Sequence, residues 1–287
     1  MVKATVIIPT FDHHDMILRA IASVKRQTVQ DFEVFIVGDG VSDPARELLA
    51  QACEADNRLH FFDNPKGRRT GETHRHKALQ DANGEVVCYL ADDDLWLPDH
   101  LEAMIAAGRN ADFFHSLHVG LHPNKGFYFL PADLEDEAVR QLMCNTMTNR
   151  FGLSFCGHTL AAYRKLPFGW RTAPDGVPTD LHMWRQFLLA PGLRAKTLCQ
   201  STALNFAANF RKQWSHEQRL RELDRWLGIS SQPGFRTKLD QALIAAMAAN
   251  KNAPMGARVQ LGRVRAGRWF EGIRFMWPLR TRNGGGQ

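Results

Sequence analysis

The chain has 287 residues, 44% of them hydrophobic, and a formal net charge of +6, enough to bury one large core or a catalytic domain with an appendage. No stretch reaches the roughly 20 apolar residues of a membrane-spanning helix, and the N-terminus reads as a strand motif with no signal-peptide pattern. The five cysteines, Cys53, Cys88, Cys144, Cys156 and Cys199, are odd in number, dispersed and without metal-ligand spacing. This predicts free thiols in a reducing cytoplasm and no structural zinc.

In chain order, Ala4-Thr5-Val6-Ile7-Ile8 is an apolar strand stopped by Pro9 and followed by the polar turn Thr10-Phe11-Asp12. Ile17, Ala20, Ile21 and Val24 then recur at helical spacing, with Arg19, Lys25 and Arg26 on the other side. A second strand, residues 32–37, ends in Gly38-Asp39-Gly40. Residues 45–55 are predicted helical, 59–62 a third strand and 72–82 helical. The fourth strand, residues 86–90, runs into Asp92-Asp93-Asp94. This alternation predicts an α/β fold with a mainly parallel sheet flanked by helices, whose ligands bind beyond the carboxyl ends of the strands. Thr10, Asp12, Asp39 and the three aspartates all fall there.

Clustered carboxylates at the end of a buried strand repel one another unless a cation shares the site. A hard divalent ion such as Mg2+ or Mn2+ is the natural partner, because it takes a few carboxylate oxygens and fills the rest with water and phosphate. The plain alternative is an acidic loop or a helix N-cap before Leu95-Trp96-Leu97-Pro98.

Four stretches together resemble the family 2 glycosyltransferases, with their GT-A, Rossmann-like nucleotide-sugar-binding fold. They are Val6-Ile7-Ile8-Pro9-Thr10-Phe11-Asp12, Val37-Gly38-Asp39-Gly40, the run from Gly84 to Trp96, and Pro178-Thr179-Asp180-Leu181-His182-Met183-Trp184. The stretch Tyr89-Leu90-Ala91-Asp92-Asp93-Asp94-Leu95-Trp96-Leu97-Pro98-Asp99 is especially close to SpsA-like members. Gly38, Ala91 and Thr179 depart from the pattern, standing where the family often has an acid. The resemblance implies inverting transfer from a nucleoside-diphosphate sugar, with UDP or TDP favoured, to a hydroxyl of a glycan or lipid-linked acceptor in polysaccharide or glycoconjugate synthesis. It further implies Asp180 as base, Asp93 and Asp94 as ligands of Mn2+ or Mg2+, and Pro9, Thr10, Asp12, Asp39, Arg69, Arg75 and Asp92 around the donor. Arg68, His74, His76, His158, Arg211 and His216 are weaker candidates, and Asp175 is the alternative to Asp180. Two other classes share these features: a non-catalytic nucleotide-sugar or glycan-binding module, and a nucleotidyltransferase, whose Gly-rich phosphate loop Pro9-Thr10-Phe11-Asp12 does not supply.

The resemblance organises residues 1–215, with a nucleotide-sugar half over 1–100 and an acceptor half over 101–215. Residues 216–282 are predicted to form a helical, basic C-terminal extension and 283–287 a disordered tail. From 258 to 282 seven arginines face a single acid, Glu271, interleaved with apolar and aromatic residues. An amphipathic helix of that kind either packs on the catalytic domain or makes a peripheral contact with an anionic membrane, which would place the protein in the cytoplasm at the inner membrane face. No nucleic-acid-binding module accompanies the charge.

Overall fold

A computed structural model describes residues 2–11, 13–124, 126–130, 132–249, 258–261 and 273–276. The elements in order are β1 (Ala4–Thr10), α1 (Ile17–Lys25), β2 (Phe32–Gly38), α2 (Asp43–Ala55), β3 (Leu59–Phe62), α3 (Glu72–Ala78), β4 (Val86–Tyr89), β5 (Leu95–Trp96), α4 (His100–Gly108), β6 (Phe113–Ser116), β7 (His118–His122) and β8 (Gly126–Leu130). They continue with α5 (Glu137–Asn145), β9 (Cys156–Thr159), α6 (Leu160–Tyr163), α7 (Thr179–Leu188), β10 (Ala195–Leu198), β11 (Ala203–Leu204), α8 (His216–Ser230), α9 (Phe235–Ala249), β12 (Arg258–Leu261) and β13 (Ile273–Met276).

The main sheet has seven strands in the order β10-β6-β9-β4-β1-β2-β3. All its pairings are parallel except those of β9, which runs antiparallel between β4 and β6. Strands covered on both faces must be apolar throughout, and Val6, Ile7, Ile8, Val34, Ile36, Val87 and Cys88 are all fully buried. Strand order reverses at the β1–β4 pair, because β2 and β3 lie on one side of β1 and β4 on the other. Ligand crevices of open α/β sheets open at such a switch point. Ile7 is paired with Tyr89, and β1 continues three residues further, bringing Thr10 alongside Asp92.

The predicted α1 stripe is buried as expected, with Ile17, Ala20, Ile21 and Val24 under the sheet. The predicted helix over 72–82 stops at Ala78 and finishes as a 3-10 turn over Leu79–Asp81. A second apolar cluster joins β7 and β8 to the C-terminal helices through Val119, Phe127, Phe129, Leu223, Trp226, Phe235 and Leu239. Ser215 starts α8 with a reciprocal capping box to Gln218. Residues 216–249 are thus largely helical, but 258–261 and 273–276 are not. β12 pairs antiparallel with both β13 and β8, forming a four-stranded sheet β13-β12-β8-β7. The expected basic helix is corrected there: Val259 and Leu261, like Ile273 and Phe275, recur at period two, which fits a strand. The remaining residues of 258–282, and with them most of the expected membrane segment, lie outside the described residues, as does the tail.

Candidate active site

The three consecutive carboxylates point to three different partners. Asp92 accepts from Thr10 Oγ1 at 2.6 Å and lies 2.6 Å from His13 Nδ1. Asp93 is paired with Arg219 of α8, Nη2 to Oδ2 at 2.6 Å. Asp94 accepts from Ser154 Oγ at 2.5 Å, Phe206 N at 2.8 Å and Asn205 Nδ2 at 3.1 Å. Burial and the neighbouring Asp92 push the Asp93 carboxyl upward, and burial with the charge of Asp93 does the same to Asp94. The hydrogen bond to Asp92 raises His13 to about 9, against the opposing effect of burial.

Among the described residues, His13, Asp92 and Asp93 bring potential ligand atoms within 4.8 Å of one another. Two carboxylates and an imidazole suit Mn2+ well and Mg2+ with more water, so this set fits a divalent ion. Asp94, expected as a ligand beside Asp93, accepts from Ser154, Asn205 and the Phe206 amide, joining the segments before β9 and after β11 to the site. His13 was missing from the expected set. Nothing in its local sequence marks it, since only the adjacency of β1 and β4 brings it to Asp92. Asp12 lies outside the described residues, and Pro9 is the penultimate residue of β1.

Asp39 closes β2 at the neighbouring strand end and is 4% exposed. Its carboxylate accepts from Gly67 N at 2.6 Å and Lys66 Nζ at 2.7 Å, with His74 Nε2 at 3.6 Å. At Gly38, where the family often has an acid, a Cβ would stand 3.0 Å from the Phe61 ring, a tight contact. Gly71 adopts φ +70°, and a Cβ on it would meet Asp39 Cβ and Cγ at 2.9 Å. The loop over 66–71 therefore lies directly on Asp39. Lys66 also sits 4.9 Å from the centroid of the Phe11 ring, which is 48% exposed. Arg68 is exposed. Arg69 donates from Nη1 to Ala173 O at 2.9 Å and Pro174 O at 2.7 Å, fastening this loop to the turn before α7.

Asp180 is in the first turn of α7 and partly buried. Burial raises its carboxyl above the ordinary range, and the charge of Arg75 opposes that rise. Arg75, on α3, is 4% exposed. It donates to Thr70 O through Nη2, lies 4.8 Å from the Trp170 ring centroid, and leaves Nε and Nη1 buried without a hydrogen-bond partner. Unsatisfied buried donors of this kind are costly and suit an incoming anion.

Glu72 was also not anticipated. Its carboxylate accepts from Thr179 Oγ1 at 3.2 Å and Thr70 N at 3.1 Å. Burial acts to raise its pKa, but backbone N–H groups and Arg75 outweigh that and leave it lowered. A carboxylate from α3 thus stands beside Thr179, where the chain itself lacks the acid.

The weaker candidates have other roles. His158 lies in the core between Tyr89 Oη at 2.7 Å and Thr159 O at 3.0 Å. His76 meets Tyr163 Oη at 2.8 Å and His74 meets Pro65 O at 2.9 Å. Arg211 forms a bidentate pair with Glu222 at 2.5 and 2.8 Å, and His216 lies 2.6 Å from Asp15. Asp175 occupies an exposed turn.

Comparison with known proteins identifies the family and the fold. The model of the family described as Glycosyl transferase family 2 matches residues 5–167. The chain is 30% identical over 105 residues to the GalNAc(5)-diNAcBac-PP-undecaprenol beta-1,3-glucosyltransferase of Campylobacter jejuni, covering 37% of this chain and 34% of that protein. It is 38% identical over 103 residues to the succinoglycan biosynthesis protein ExoW of Rhizobium meliloti, covering 35% and 32%. These matches therefore span about a third of each relative. In three dimensions the chain superposes on residues 1–349 of Staphylococcus aureus TarS with a TM-score of 0.52 at 15% identity, covering 87% of this chain and 72% of that one. The mannosyltransferase PcManGT of Pyrobaculum calidifontis, in complex with GDP-Man and Mn2+, gives a TM-score of 0.52 at 17% identity, covering 88% and 77%. At such identities the shared property is the GT-A fold.

Proposed function

Because the chain belongs to glycosyl transferase family 2, we propose that it catalyses inverting, metal-dependent transfer of a sugar from a nucleoside diphosphate to an acceptor hydroxyl in polysaccharide or glycoconjugate synthesis. The observation that carries this is the meeting of Asp92, Asp93 and His13 at the ends of β1 and β4, beside Asp39 at the end of β2. A buried acid at one strand end and a metal-type ligand set at the next match the two ends of a nucleoside diphosphate. Asp92, Asp93 and His13 would hold the ion, displacing the Arg219 and His13 contacts that now balance the carboxylates. A divalent ion there would supply electrostatic stabilisation of charge on the departing diphosphate.

The chain's own residues do the rest. Arg75 offers two unpaired guanidinium donors to a phosphate. Asp39 exchanges its contacts with Lys66 and Gly67 for the imide N–H of uracil or thymine, a group that cytosine lacks. Asp180 takes the acceptor proton as the oxygen attacks the anomeric carbon opposite the leaving group. Its raised pKa makes it a stronger base than a surface carboxylate. A lipid-linked acceptor is consistent with the substrate in the Campylobacter relative's name, and a glycan with ExoW's part in succinoglycan synthesis.

Calorimetric titration with UDP, TDP, GDP and CDP, with and without Mn2+, tests the assignment. UDP and TDP are expected to bind more tightly than CDP by about 1–3 kcal/mol, the cost of a buried group left unpaired. Asp93→Ala is expected to remove the Mn2+-dependent part of the binding while the circular dichroism spectrum stays unchanged. Mn2+-dependent UDP binding that survives this substitution would contradict the metal site, and equal affinity for all four nucleotides would remove Asp39 from it.

A further inference from the structure

Helix α7 has two chemically distinct sides. Leu181, Met183, Trp184 and Phe187 are buried, whereas His182 and Arg185, with Leu189 just past the helix end, line a groove of about 640 Å³ that continues past Lys165, Phe168 and Arg171. Phe187 and Leu193 also line it, so its surface is in part apolar. Phe168 is 40% and Leu189 69% exposed, two of the five large exposed hydrophobic side chains among the described residues. Scattered apolar exposure needs no explanation, but two such side chains in one groove, rimmed by cations, form a definite pattern.

The Arg171 guanidinium lies 3.4 Å from the Phe168 ring centroid. Lys165 and Arg185 share the rim, and Arg185 is held by the carbonyls of Met143 and Thr146 at 3.0 and 2.6 Å. The acid in the lining, Asp112, is occupied by a bidentate pair with Arg194 at 2.7 and 3.0 Å. Arg171 also donates from Nε to His182 Nε2 at 3.3 Å, and burial, with the charges of Arg171 and Arg185 adding to it, lowers the pKa of His182. Such a surface complements an amphiphilic anion: the apolar side chains favour an acyl region and the cations an anionic headgroup layer.

We propose that the face formed by the segment after α6 and by the C-terminal end of α7 docks on an anionic phospholipid membrane, with Phe168 and Leu189 entering the headgroup boundary and Lys165, Arg171 and Arg185 meeting the headgroups. The contact uses no residue of 258–282, and it places the membrane beside the helix whose first turn carries Asp180. The proposal concerns adsorption alone, so it stands or falls without the assignment of donor or reaction.

Cosedimentation of the full chain with phosphatidylcholine vesicles, with and without phosphatidylglycerol, tests it. The wild type is expected to bind the anionic vesicles, more weakly as salt rises. Combining K165E with R171E is expected to lower partitioning roughly tenfold or more, on the scale of one factor of about five per basic charge near the surface. Combining F168S with L189S is expected to weaken binding at high salt as well, and L189S alone provides a check at the most exposed position. Melting curves show whether each variant is folded. Folded variants that bind like the wild type, or a wild type indifferent to phosphatidylglycerol, would overturn the proposal. So would an oligonucleotide that binds the groove equally well before and after F168S with L189S, since the surface would then be a general polyanion site.

Discussion

Asp180 and Asn differ by one group, and that exchange separates the two roles open to this carboxylate. Asparagine keeps the size and the ability to sit in the first turn of α7 but cannot take a proton. Asp180→Asn is therefore expected to lower transfer by about 100-fold or more, within the usual range for general-base catalysis, while Mn2+-dependent nucleotide binding persists. Steady-state kinetics and calorimetry on the same preparation check both halves. Because burial raises the Asp180 pKa, the wild-type rate is expected to climb with pH through a value above the ordinary carboxylate range, as the base loses its proton. Loss of nucleotide binding in the variant would instead make Asp180 part of the donor site. The resemblance to family 2 pointed to Asp180, Asp93 and Asp39, because each falls in one of the stretches that carry it. It could not indicate His13 or Glu72, since their importance depends on residues 79 and 107 positions away, Asp92 and Thr179.

At the scale of elements, the loop between β3 and α3 is held by what a side chain would collide with. Gly71 has a left-handed backbone, and its missing Cβ leaves room for the Asp39 carboxylate. Gly71→Ala combines a left-handed alanine with a contact of 2.9 Å to Asp39, so a loss of stability of about 1–3 kcal/mol is expected. UDP affinity should fall as well, because the loop cannot move without moving Asp39. Denaturant titration and calorimetry would measure the two effects, and a variant unchanged in both would show that the loop is not tied to Asp39. The strands on either side were legible because each is a continuous apolar run with a polar stop. The antiparallel insertion of β9 was not, since Cys156-Gly157-His158-Thr159 carries no sign of strand direction. The C-terminal strands β12 and β13 were misread for a related reason: four-residue alternations inside a basic, aromatic stretch also satisfy a helical pattern over a longer window.

Over the whole molecule, the core holds three histidines that are neutral by burial. His100 stacks on Trp96 at 4.0 Å and meets Thr202 Oγ1 at 2.7 Å. His115 lies between Ser116 O at 2.8 Å and Thr197 Oγ1 at 3.0 Å, and His158 joins the Tyr89 network. Desolvation lowers their pKa values to about 3, about 4 and about 4. In the unfolded chain each titrates near 6.5. Between these limits the unfolded state binds protons that the folded state refuses, so stability is fully present above pH 6.5 and is lost as pH falls toward 4. Three such groups give a limiting slope of about 4 kcal/mol per pH unit in that window, from about 1.4 kcal/mol per unit for each, and the buried carboxyls of Asp93, Asp94 and Asp180, raised in the folded state, oppose part of it. Urea midpoints are expected to drop from pH 6.5 to 5 by less than the histidines alone would give, and His100→Gln, which keeps a hydrogen-bonding group toward Thr202 without titrating, should make the decline shallower. If the decline begins only below pH 4, carboxylates rather than these histidines would control acid unfolding, and an equally steep profile in His100→Gln would remove His100 from the account.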